Sequence, residues 1–70
     1  MSQLTPQASA LLAQIHRDVV VWLPRLTENG ALDLLRLRLA RSRHEPRGYK
    51  LWLTTRGVQQ ALSLVAGWGQ

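Results

Sequence analysis

The sequence predicts a small α+β domain ordered helix, β-hairpin, helix, and three observations predict it. Apolar residues recur at helical spacing behind a Thr-Pro start near the N-terminus. Two alternating runs flank a Glu-Pro-Arg-Gly turn in the second half. A second helical stripe then follows a pair of threonines.

Thr5-Pro6 is a hydroxyl cap followed by proline at the first helical position, where its missing N–H costs nothing. Ala8, Leu11, Leu12, Ile15, Val19 and Trp22 continue one apolar face, while Gln7, Gln14, Arg17 and Asp18 occupy much of the other. Pro24 disfavours helical geometry at Leu23, so the helix is expected from Pro6 to about Trp22, with Trp22 in the core. The β-branched run Val19-Val20-Val21 weakens that helix locally. Leu26 to Gly30 carries turn and cap signals, with a short helical turn possible over Thr27 to Asp33.

Residues 31–41 allow two readings. Leu35-Arg36-Leu37-Arg38-Leu39 alternates strictly, which puts the leucines on one face of a strand and Arg36 and Arg38 on the other. The same residues are strong helix formers with no β-branched member. The alternation favours a strand. Glu45-Pro46-Arg47-Gly48 has the preferences of a type I turn. Tyr49, Leu51 and Leu53 then share one parity, and Lys50 and Trp52 the other, completing a hairpin over Leu35 to Thr54. Thr54 or Thr55 caps a last helix whose stripe is Val58, Ala61, Leu62 and Val65; Gly67 and Gly69 are expected to end it and leave Trp68 in a tail.

A chain of 70 residues makes a single domain with a marginal core, and it has no cysteine to staple it. Tight packing or self-association must compensate, so a homodimer is expected. Nine basic residues stand against four acids, giving a net charge of +5 and a pI near 11.5. Eight of the nine are arginine, which binds phosphate and carboxylate bidentately. Such a balance favours a polyanionic partner: DNA first, or an acidic protein surface. A solvated face that keeps the domain soluble is the plain alternative. The N-terminal residues lack the pattern of a secretory signal and no stretch is long enough to span a bilayer, so a cytoplasmic protein is expected.

Leu53-Thr54-Thr55-Arg56-Gly57 followed by Gln60-Ala61-Leu62 resembles the segment in which the wing of winged-helix transcription regulators runs into a closing helix. Leu26, Gly30 and Leu32 resemble the end of that family's recognition helix, and Arg43 to Gly48 its wing tip. The resemblance spans about Val20 to Leu64 and implies a reduced winged-helix-like DNA-binding domain. It is reduced because too few residues precede the hairpin for a separate helix ahead of the recognition helix, and Pro24 lies where the latter would run. On this resemblance the segment from Arg25 to Asn29 would approach base edges.

The expected nucleic-acid contacts are Arg25, Asn29, Arg36, Arg38, Arg41, Arg43, Arg47 and Lys50. Trp52, on the polar parity of its strand and in reach of a cation–π contact with Arg36 or Arg38, and Trp68 are the expected protein-interaction residues. Catalysis finds no constellation to support it. Asp18, Glu28, Asp33 and Glu45 are scattered, His16 and His44 lack ligand spacing, and no glycine-rich phosphate loop occurs. No cofactor, metal or small-molecule substrate is expected.

Overall fold

Thr5 and Pro6 start the first helix as their chemistry dictates: the Thr5 hydroxyl accepts a hydrogen bond from the Ala8 N–H at 3.1 Å, and Pro6 opens the first turn. A computed structural model describes residues 4–27 and 30–68, the side chain of Trp68 excepted. Its elements are α1 (Pro6–Asp18), β1 (Val20–Leu23), α2 (Ala31–Arg36), β2 (Ala40–Glu45), β3 (Gly48–Leu53) and α3 (Thr55–Trp68). The layout is compatible with a winged-helix-like arrangement.

The first helix is shorter than its apolar stripe suggests. It stops at Asp18, and Val19 turns the chain with φ 70 and ψ −46, close to a γ-turn and rare for a β-branched residue. Val20–Leu23 then forms a strand absent from the sequence expectation. β-branching explains the switch: a valine run gains more on a pleated surface than in a helix. Trp22 therefore leaves the core and becomes half-buried on the sheet.

The largest correction concerns residues 35–39. No strand forms there. Ala31–Arg36 is helical and the hairpin strand begins only at Ala40. Leu39 N–H donates to Leu34 C=O at 2.9 Å and Arg38 N–H to Leu35 C=O at 3.1 Å, the two bonds of a Schellman cap. Arg38 holds its left-handed position at φ 60, where glycine is usual. The apparent period of two is the spacing of a helix end: Leu34 and Leu39 are buried as the cap's hydrophobic pair, whereas Leu37 is 40% exposed. Helix propensity decided the outcome over the short alternation.

The sheet is antiparallel in the order β1-β3-β2. β2 and β3 turn over Pro46-Arg47 with Glu45 paired to Gly48, as the turn residues predict. One face carries Val21, Leu23, Leu51 and Ala40, all buried against the helices. With Ala8, Leu11, Leu12 and Ile15 of α1, Ala31 and Leu34 of α2, Leu39, and Ala61 of α3, they form the core. Gly30 caps α2 at φ 79 directly against the backbone of Ala8, leaving no room for a side chain.

α3 departs from expectation twice. Gly67 does not end it; the helix runs through Trp68. Of the expected stripe only Ala61 is buried, while Val58, Leu62 and Val65 are 38%, 53% and 41% exposed. The helix docks through its small residues, Gly57 and Ala61. No helix among the described residues is long and apolar enough to cross a membrane.

Candidate nucleic-acid interface

The strand register fixes what the second face of the sheet displays. Side chains alternate across a strand, so residues of opposite parity to Val21 and Leu51 point away from the helices. One row across the three strands reads Val20, Trp52, Arg41, and the next reads Trp22, Lys50, Arg43. None of these belongs to the core. The outer face is thus two indoles interleaved with three cations.

Arg47 at the hairpin tip adds a fourth cation, its guanidinium carbon 5.1 Å from the centroid of the Trp22 ring. Lys50 Nζ lies 6.0 Å from the Trp52 ring, in place of the expected Arg36 or Arg38. Each such contact at an exposed site contributes about 0.5–1 kcal/mol, enough to orient a cation and too little to fix it. On the opposite face His44 stacks on Tyr49 at 4.5 Å, which stiffens the hairpin near its tip.

Beside the outer edge of β2 the surface dips into a groove of about 670 Å³ lined by Arg38, Arg41, Arg43 and Trp52, with Leu35 and Thr54 among its walls. A continuation is lined by Arg38, Arg41, Trp52 and Arg56. Thr54 assembles this region. Its hydroxyl donates to the Arg38 carbonyl at 2.8 Å and accepts from the Gly57 N–H at 3.0 Å, so one side chain ties the α2–β2 turn to the start of α3. Arg56 lies in the first turn of α3, which carries no acid, so its charge opposes the helix dipole. An anion in the groove relieves that repulsion.

Few carboxylates answer these charges. Arg43 approaches Glu45 at 3.8 Å, a weak exposed pair. Among the described residues Arg38, Arg41, Arg47, Lys50 and Arg56 have no ion-pair partner. No cluster of metal-ligating side chains occurs among them either.

The expected site residues divide accordingly. Arg41, Arg43, Arg47, Lys50 and Trp52 share the outer face and hairpin tip. Arg38 reaches the groove from a helix cap rather than from a strand. Arg36 does not join them: it ends α2 and lies 3.9 Å from Asp33. Arg25 is exposed in the loop after β1, apart from the groove. Asn29 and the side chain of Trp68 lie outside the described residues. Sequence reasoning missed Trp22 and Arg56. Val19-Val20-Val21-Trp22 ahead of Pro24 was a legible strand signal for the first; nothing local marks the second.

Arg38 gives a prediction that separates fold from site. Arg38→Gly is expected to stabilise the protein by about 1 kcal/mol, because glycine suits the left-handed cap, while lowering affinity for polyanions. Thermal melting and an oligonucleotide titration check the two halves. A destabilised variant would show that the cap is not strained as described.

No protein-family model matches the chain, and neither a curated protein nor a solved structure does.

Proposed function

We propose that this chain is a small DNA-binding protein, serving transcription regulation, that contacts the phosphate backbone through the outer face of its sheet and the β2–β3 hairpin. Binding rather than catalysis is its task. The observation that carries the reading is the outer face itself: Arg41, Arg43 and Lys50 in register, Arg47 over Trp22, and Arg38 and Arg56 at the adjoining groove. A face of this kind releases counterions when it meets phosphates, so its affinity falls steeply with salt. Regulation on this basis rests on phosphate contact and on the shape or exposure of the strands. α2, with six residues, is too short to act as a major-groove reader. Fluorescence anisotropy with labelled DNA tests the proposal; absence of binding at low salt refutes it.

One observation favours a second reading. The groove beside β2 combines Leu35, Ala40 and Trp52 with an arginine rim, a surface suited to an acidic protein partner. An inhibitor or adaptor working this way binds one protein stoichiometrically, loses affinity on Trp52→Ala and ignores DNA.

Self-association belongs to the same proposal. Val58, Leu62 and Val65 follow the four-then-three spacing of a coiled-coil seam, and α3 carries no charge after Arg56. On a chain of net charge +5, that face lets two copies meet without opposing cations. Leu62→Lys is expected to shift the protein to monomer without loss of helicity, measured by sedimentation. A wild-type monomer at high concentration excludes this interface.

A further inference from the structure

We propose that the outer face takes DNA as a single strand, with two neighbouring bases stacked on Trp22 and Trp52 and their phosphates held by the intervening cations. The inference rests on the DNA-binding reading above and names the form of DNA that this face fits.

Width argues first. Strands in a sheet lie about 4.8 Å apart, so three strands with their side chains exceed the roughly 12 Å major groove, which admits a helix or a two-stranded ribbon. The whole face cannot enter a duplex. A single strand can lie across it.

The placement of the indoles argues second. Trp22 pairs with Lys50, and Val20 pairs with Trp52, so the two tryptophans are diagonal neighbours on adjacent strands, about 7–8 Å apart at the backbone. Both are half-buried, and neither indole N–H has a hydrogen-bond partner among the described residues. The rings therefore do not complete the core and do not anchor a polar contact. They present flat apolar surface on a polar face, the platform that unpaired bases use.

Charge supplies the third argument. Each row of the face has one indole and a cation: Trp52 with Arg41, Trp22 with Lys50 and Arg43. The repeat matches the base-then-phosphate repeat of a nucleic-acid strand. Arg47 and Lys50 already lie over the two rings, so a base that stacks there displaces a cation toward its own phosphate. Stacking on an aromatic outweighs an exposed cation–π contact, so the exchange is favourable. Recognition of this kind tolerates any base, since each has a π-face.

The test compares a fluorescein-labelled oligothymidylate with a duplex of equal length, each titrated with the full chain and with Trp22→Leu, Trp52→Leu and the corresponding phenylalanine variants. Circular dichroism confirms folding of each. The single strand is expected to bind more tightly than the duplex and to quench tryptophan fluorescence. Each leucine variant is expected to lose about five- to a hundredfold in single-strand affinity and distinctly less in duplex affinity, and phenylalanine to recover most of the loss. If duplex binds as well as single strand and the leucine variants match wild type, stacking is wrong while the DNA-binding reading stands. If neither DNA binds, the reading fails and the inference with it.

Discussion

Gly57→Ala is expected to remove a large share of the folding stability and to lower the melting temperature steeply. An added Cβ at Gly57 would press into the Leu39 carbonyl, far inside contact distance of its oxygen and 2.8 Å from its carbon. Both sides of that contact are backbone. Leu39 is held by its bond to Leu34 in the α2 cap, and its carbonyl accepts from the Thr54 N–H at 3.1 Å. Relief therefore requires α3 to move away from α1 and β3, exposing Ala61 and the half-buried Leu64. A cost on the order of 3–5 kcal/mol follows for overpacking of this severity. A domain of 70 residues has roughly 4–10 kcal/mol in total. Gly67→Ala serves as the control: nothing lies within 4 Å of the added atom, and in the last turn of α3 helix propensity predicts a gain of no more than about 0.5 kcal/mol. Melting curves decide between them. A Gly57→Ala protein that melts with wild type would show that α3 is not seated on Leu39.

The second large effect concerns affinity. Replacing Arg41, Arg43, Arg47 and Lys50 together with glutamine leaves the core untouched, since none of the four belongs to it. Stability is expected to change little, as the same melts will show. For duplex DNA each phosphate contact contributes about −0.9 to the slope of log affinity against log salt, and about −0.7 for a single strand. Four lost contacts flatten the slope by roughly 3–4. For wild type those contacts make a fourfold rise in salt cost roughly a hundredfold in affinity, a penalty that the variant escapes. An unchanged slope would place the contacts elsewhere.

The sequence made some of this structure legible and concealed the rest for identifiable reasons. Thr5-Pro6 and Glu45-Pro46-Arg47-Gly48 were readable because a cap and a turn depend on a few adjacent residues. The parity of Tyr49–Leu53 was readable because a strand alternates whatever its neighbours do. Residues 35–39 misled because a helix end with its Schellman cap spaces leucine and arginine as a strand does over five positions. β1 was obscured because Trp22 continued the apolar period of α1, which outweighed the β-branched signal of Val19-Val20-Val21. That Arg41, Arg43, Arg47 and Lys50 lie together on one hairpin was readable from charge and turn. Trp22 follows a β-branched run that already signals a strand, whereas Arg56 joins them only through packing that no local pattern encodes.

Chemical-shift mapping of the isotope-labelled chain during titration with an oligonucleotide locates the binding face residue by residue. Shifts are expected only on the outer face and groove, with the indole N–H signals of Trp22 and Trp52 and the amides of Arg41, Arg43 and Lys50 moving together. Shifts confined instead to α1, or to the exposed stripe of α3, would rule out the outer face as the binding surface.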